Sequence, residues 1–313
     1  MLFQYPQRFR HVWQDVELTY FIGVVRVVLV QHTIAVQENA FVHGSKYLHL
    51  GPFSLVLFQT QHTVSNALVI TPTYNERENI QAIIEAVFSQ PKDFHMLIVD
   101  DGSPDGTANI VKDLQQNYNT ATETKLHLIQ REGKQGLGTA YITGFHYGLE
   151  KGYDYLLEMD ADFSHDPKDL NQLYLACAEA GADLSIGSRY VTGVNVVNWP
   201  MSRVLLSYFA SAYVRLITRM PIHDTTAGFV CYRRKVLQTL PLDKIKAVGY
   251  GFQIEMKFKT WKYGFKIKEV PIIFTERVRG QSKLSAGIFK EAFFGVIGLT
   301  VASWFKNYSK ESM

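Results

Sequence analysis

From Asn66 onward, short apolar runs rich in β-branched residues alternate with segments whose apolar positions recur every three or four residues. This alternation predicts βαβ units and a mainly parallel sheet flanked by helices. Ala67 to Thr71 reads as the first strand, and a helix from about Glu76 to Ser89 follows it with Ile80, Ile83, Ile84, Val87 and Phe88 on one face. The second strand is His95 to Val99, with a helix carrying Ile110, Val111 and Leu114 after it; the third is Leu126 to Ile129, with a helix from near Gly138. A fourth strand ends at Asp160, and Asp166-Pro167 opens the next helix, where proline suits the first turn. Ala182 to Ile186 is a fifth strand. Pro200 to Met220 reads as a long amphipathic helix, Gly228 to Arg233 as a strand, Phe252 to Tyr263 as a helix, Ile267 to Phe274 as a strand, and a final helix starts near Ile288.

Residues 1–65 show no such period. They hold five of the ten histidines, scattered aromatics and little charge. Two readings stand: a membrane-touching extension, or sequence translated from upstream of the true start that would not fold. The second is favoured, and peptides from before Asn66 in the endogenous protein would refute it. The expected organisation is therefore an unassigned segment 1–65, an α/β domain 66–285 and an amphipathic, interfacial segment 286–313.

A chain of 313 residues that is 47% hydrophobic can bury a sizeable core, enough for one main domain with appendages. The net charge of +3 is too small for a nucleic-acid binder. Residues 250–313 nevertheless hold eleven Lys and Arg against five Asp and Glu, which favours an anionic partner at that end or, for Lys257, Lys259 and Lys262 on a helix, a solvated basic face. Cys177 and Cys231 lie far apart without metal-ligand spacing, which argues against zinc or a disulfide framework and fits a reducing compartment. No uncharged apolar run reaches the roughly 18 residues of a spanning helix. In the last segment Phe289, Phe293, Phe294, Ile297 and Trp304 stand beside Lys290 and Lys306, as in a helix lying in a membrane interface or one packed in a core.

Ligand sites in open parallel sheets lie off the carboxyl ends of the strands, so the residues just after each strand converge. Here they are Pro72-Thr73-Tyr74-Asn75-Glu76, Asp100-Asp101-Gly102-Ser103, Asp160-Ala161-Asp162 and Gly187-Ser188-Arg189-Tyr190. Paired carboxylates suit a hard cation such as Mg²⁺ or Mn²⁺, carboxylates also accept from base and ribose donors, and an arginine pairs with phosphate. Asn75 and Asp105 also read as helix N-caps. Gly133-Lys134-Gln135-Gly136-Leu137-Gly138 has the look of a phosphate loop but lacks the order of a Walker motif, and a tight turn into a helix explains it better. The first strand-to-helix turn has no glycines, which excludes a dinucleotide fingerprint.

In this order the strand-end motifs resemble the family 2 glycosyltransferases and, within them, the dolichol-phosphate (polyprenol-phosphate) mannose synthases. Gly136-Leu137-Gly138-Thr139-Ala140-Tyr141, Asp224-Thr225-Thr226-Ala227-Gly228-Phe229, Phe252-Gln253-Ile254-Glu255-Met256 and Arg277-Val278-Arg279-Gly280-Gln281-Ser282-Lys283 extend the likeness over roughly residues 67–300. The resemblance implies a GT-A fold and transfer of mannose from GDP-mannose to a polyprenyl phosphate, which direct attack on the anomeric carbon would make inverting; family members can carry C-terminal spanning helices, and with no spanning run in this sequence the chain is expected to meet the cytoplasmic face of a membrane peripherally. Pro72, Tyr74, Glu76, Val99 and Asp101 would hold the nucleoside. Asp160 and Asp162 would meet the metal and diphosphate, Ala161 leaving backbone room. Arg189, Arg277 and Lys283 would contact the diphosphate or the acceptor phosphate. Some relatives place a glutamine as third metal ligand where this chain has Ser164, a weaker donor. A phosphate acceptor with a second pKa of about 6 needs no strong base, so Asp224 and Glu255 are expected to orient sugar hydroxyls or hold loops. The competing readings are a transferase using UDP-glucose or a related donor, a sugar nucleotidyltransferase, and an idle sugar-nucleotide scaffold.

Overall fold

The computed structural model describes the backbone of residues 19–22, 25–31, 45–50, 53–59, 65–245, 249–276 and 286–308, and side chains from residue 65 on apart from 250 and 286–292. The chain divides into two compact units, Met1–Thr63 and Val64–Met313. In the first, β1 (Thr19–Ile22), β2 (Val25–Gln31), β3 (Ser45–Leu50) and β4 (Phe53–Gln59) pair antiparallel in the order β1-β2-β4-β3.

The second unit runs β5 (Ala67–Thr73), α1 (Ile80–Phe88), β6 (His95–Asp100), α2 (Thr107–Tyr118), β7 (Leu126–Gln130), α3 (Leu137–Glu150), β8 (Tyr155–Glu158), α4 (Asp169–Ala178), β9 (Leu184–Ser188), β10 (Val196–Val197), α5 (Met201–Thr218), β11 (Val230–Arg233), α6 (Arg234–Thr239), α7 (Tyr250–Lys262), β12 (Ile267–Pro271), β13 (Phe274–Thr275) and α8 (Ala286–Trp304). Seven strands form one sheet in the order β12-β9-β11-β8-β5-β6-β7, with β11 antiparallel to both its neighbours and the other pairs parallel. This is the expected α/β architecture with one reversed strand.

Alternate residues of each central strand feed opposite cores, as the two-residue period of a strand requires. Ala67, Val69, Met96 and Ile98 pack with α1, α2 and α4, while Leu68, Ile70, Leu97 and Val99 pack with α3, α6 and α7. Helix α3 lies close because Gly144 and Gly148 face the sheet; a Cβ at Gly144 would come 2.5 Å from Ile70 Cγ2. Pro72 stands in a central strand, yet β8 pairs with β5 only as far as Ile70. The N–H that proline lacks therefore faces no partner strand, and the sheet opens at this point.

Several boundaries differ from expectation. Helix α1 begins at Ile80, because Glu76 to Asn79 makes a turn in which Asn79 and Ile80 donate to the Glu76 carbonyl. Asn75 is therefore no N-cap; it holds φ 59°, a left-handed conformation asparagine tolerates. Asp105 is not the N-cap either, because Gly106 holds that position; its carboxylate accepts from the Thr107 and Arg77 amides at 3.0 Å each and so ties the start of α2 to the turn ahead of α1. Pro167 precedes α4 rather than opening it, since Asp166 to Lys168 forms a separate turn. The strand expected over 267–274 breaks after Pro271, and β13 pairs with β10 instead. From Phe293 on, α8 presents apolar side chains outward, with Val296 and Ser303 buried, so its exposed side is not the polar face of an amphipathic helix. Among the described residues no helix is long and apolar enough to cross a membrane.

Candidate active site

A cavity of about 450 Å³ lies off the carboxyl ends of β8 and β9, and Asp160, Asp162, Ser164 and Arg189 all line it. The carboxylate pair leaves β8 on a tight turn. The Asp162 carboxylate accepts from the Ser164 amide at 3.0 Å, and Phe163 between them is held at φ 58°, where a bulky residue costs about 1–2 kcal/mol. Tyr141, fully buried on α3, donates to Asp160 Oδ1 at 3.2 Å. Burial, followed by the nearby Asp160 and Glu158 charges, pushes its phenol well above the usual range, so it stays a donor.

A third carboxyl group lies under this turn. Glu158, fully buried at the end of β8, has its pKa raised to about 8 by burial and, against the opposing hydrogen bond from Gln253 and the charge of Lys257, by Asp160. Its Oε1 has no hydrogen-bond partner among the described residues. Two aspartates and a serine hydroxyl are hard oxygen donors, and this donor set fits a divalent ion such as Mg²⁺ or Mn²⁺.

The opposite wall is cationic but engaged. Arg189 donates from its amide, Nε and Nη2 to the Asp224 carboxylate at 2.7–2.9 Å and from Nη2 to Thr226, and its guanidinium lies over Tyr190, Trp199 and Phe274. Burial alone would raise the Asp224 pKa; the Arg189 guanidinium overrides it and holds the carboxyl below its ordinary value. His165 stacks on Phe229 at 4.8 Å between centroids, and burial drops its pKa to about 4, so it stands neutral in the cavity wall.

A profile for "Glycosyl transferase family 2" matches residues 68–240. The chain is 46% identical over 237 residues to the polyprenol monophosphomannose synthase of Mycolicibacterium smegmatis, covering 76% of this chain and 88% of that protein. It is 44% identical over 229 residues to the undecaprenyl-phosphate mannosyltransferase of Micrococcus luteus, covering 73% and 91%. The chain belongs to glycosyl transferase family 2. Among solved structures it resembles glucosyl-3-phosphoglycerate synthase from Mycobacterium tuberculosis, with a TM-score of 0.56 at 15% identity over 76% of this chain and 81% of that one, a likeness of fold.

Not every strand-end residue of this glycosyltransferase reaches the cavity. Pro72, Tyr74, Glu76 and Asp101 cluster at the ends of the adjacent strands β5 and β6, where Asp101 donates its amide to the Thr73 carbonyl. Asp101 is gripped by Arg131, whose Nε lies 2.7 Å from Oδ1, and by the Gln135 amide at 3.3 Å, while Lys134 sits 5.3 Å above the Tyr74 ring. The glycine-rich segment 133–138 is thus a turn into α3 that walls the ends of β5 and β6. Val99 is fully buried with its side chain in the core, the consequence of strand alternation, and does not reach the cavity. Ala161 is buried beneath the turn. Asp224 holds a loop, as expected, while Glu255 pairs with Lys259 at 2.6 Å outside the cavity lining. Arg277, Arg279 and Lys283 lie outside the described residues.

Sequence reading missed Arg131 and Arg203, quoted Tyr141 only within a motif, and placed Lys257 and Lys259 on a solvated face, whereas both are buried in α7. Arg203 lines the cavity from α5, its guanidinium 4.2 Å over Trp199 and 2.7 Å from Glu276. A lone arginine ahead of the apolar run Val204-Leu205-Leu206 was the available signal. The cluster Asp93, His95 and Glu123 also brings three ligand atoms within 4.8 Å. It sits at the amino end of β6, and Lys125 Nζ already lies 2.9 Å from Asp93 and 3.8 Å from Glu123, so it reads as an ion-pair network.

Proposed function

We propose that this glycosyltransferase moves mannose from GDP-mannose to a polyprenyl phosphate, inverting the anomeric centre to give a β-linked mannosyl phospholipid. The observation that carries this reading is one cavity holding two turn-mounted aspartates on one side and Arg189 with Arg203 on the other. The names of the two relatives supply the sugar and the lipid class. Asp160 and Asp162, with Ser164 beside them, would hold a divalent cation, which when bound would supply the charge stabilisation that a departing diphosphate needs. The protein's own residues do the rest. Tyr141 orients Asp160, Asp101 and Tyr74 hold the nucleoside end, and the two arginines position the acceptor phosphate against its repulsion from the donor. The acceptor is already anionic, so no base is required. Replacing Asp162 by Asn should abolish transfer without shifting the melting temperature; full activity in that variant would overturn the metal assignment.

The enzyme meets its lipid by lying on the cytoplasmic face of a membrane. Helices α5 and α8 support this: Phe209, Leu216, Phe294 and Trp304 are each more than 60% exposed, and Tyr213 of α5 stacks on Phe293 of α8 at 4.5 Å. Leu206, Phe209 and Phe293 also line the cavity, so the apolar surface and the chemistry are continuous. Flotation with liposomes tests it: wild type should float and Phe209→Glu/Phe294→Glu should stay at the bottom, while equal flotation would refute it.

A further inference from the structure

Three side chains beneath the cavity are buried, polar and unused by the reading above. Glu158 and Lys257 are fully buried and Gln253 is 2% exposed. Gln253 and Lys257 stand one helical turn apart on α7. Gln253 Nε2 donates to Glu158 Oε2 at 2.5 Å, while Lys257 Nζ donates to Gln253 Oε1 at 3.2 Å and to the Ala227 carbonyl at 2.6 Å. The amide is thus clamped between a carboxyl group that accepts from its nitrogen and an amine that donates to its oxygen, which fixes which end faces which.

Burying two charges is costly and, as a source of stability alone, is often outdone by apolar side chains of the same volume. Their placement is more informative. Glu158 is the last residue of β8, two before Asp160; Ala227 belongs to the loop that carries Asp224 and contributes Thr226, Ala227 and Gly228 to the cavity wall. Through one ammonium and one amide, α7 therefore ties the strand end bearing the aspartates to the loop facing them.

We propose that Lys257, acting through Gln253 and Glu158, is a positioning residue that sets the place of Asp160 and Asp162 for the divalent cation. This rests on the metal reading above. Groups that orient metal ligands from behind alter metal affinity by about 10- to 100-fold when replaced.

The test measures Mn²⁺ binding by the full chain, with GDP present, from the electron paramagnetic resonance of free Mn²⁺, alongside melting temperature. Lys257→Met should weaken Mn²⁺ binding by about 10- to 100-fold, with kcat at saturating Mn²⁺ changed far less. Glu158→Gln/Lys257→Met removes both charges together. It should recover the melting temperature but not the affinity, since the link to Ala227 stays broken. Gln253→Met, which leaves both charges and removes the bridge, should weaken binding likewise. Wild-type Mn²⁺ affinity in any of these variants that folds would overturn the proposal. Asp162→Asn separates the two layers: if it too binds Mn²⁺ like wild type, the metal site itself is misplaced and the inference falls with it.

Discussion

At the amino end of the sheet, Tyr147, His127, Tyr153, His95 and Glu123 make a chain of contacts of 2.8, 3.0, 2.7 and 3.2 Å. One proton assignment satisfies all of it, each hydroxyl or ring N–H donating to the next group and the last to the Glu123 carboxylate. At the carboxyl end, Glu158, Asp160 and Asp162 crowd together, Glu158 Oε1 and His165 Nδ1 lack hydrogen-bond partners among the described residues, and Phe163 is strained. The two clusters stand at opposite ends of one sheet. The first is complete by itself and contributes to stability; the second is complete only with ligands, and its local costs mark it as the working end.

The sharpest break in this contrast comes from Asp162→Asn, which should cut transfer by about a thousandfold or more, several kcal/mol of charge stabilisation at about 1.4 kcal/mol per tenfold, while leaving thermal unfolding unchanged. Asp224→Asn strands the buried Arg189 guanidinium and should cost about 3–5 kcal/mol in urea denaturation, collapsing the cavity wall and activity together. Tyr153→Phe should do the reverse of Asp162→Asn: it leaves two imidazoles short of a partner and costs about 1–3 kcal/mol, with kcat/KM unaltered. That end also sets a pH limit. Burial first, then His95 and Lys151, lower the His127 pKa from 6.5 to about 4. The unfolded chain thus binds a proton that the native state refuses, so this contribution to stability is whole above about pH 6.5 and is lost as pH falls toward 4. Denaturation midpoints measured from pH 7.5 to 5 should decline, and His127→Gln should flatten that decline. The smallest effect is expected at the rim, where Lys134→Ala removes a cation over Tyr74 worth about 0.5–1 kcal/mol and should raise the donor KM a few-fold without changing kcat.

Periodicity and strand-end chemistry made much of this legible in advance. The parallel strands and the helix faces carrying Ile80, Ile83 and Ile84 follow from spacing, and Asp160, Asp162 and Arg189 do share a cavity. The reversed β11 was not legible, because four apolar residues look alike in either direction. That the Val99 side chain points into the core was not legible, because a motif does not say which side chains face inward. The role of Arg131 was not legible because it grips Asp101 across a gap in sequence, and that of Lys257 because it reaches the Ala227 carbonyl, thirty residues away, and meets Glu158 only through Gln253. Residues 1–65 carry no period from which the pairing of β1 to β4 could be read.

The central claim is tested most directly by incubating the full chain with Mn²⁺, a polyprenyl phosphate and, in parallel, radiolabelled GDP-mannose, UDP-glucose or UDP-mannose, then extracting the lipid. Label in the organic phase from GDP-mannose alone, as a β-linked mannosyl phosphate, is the predicted result. Label remaining in water with GDP-mannose, or entering lipid as well from a UDP-sugar, would contradict it.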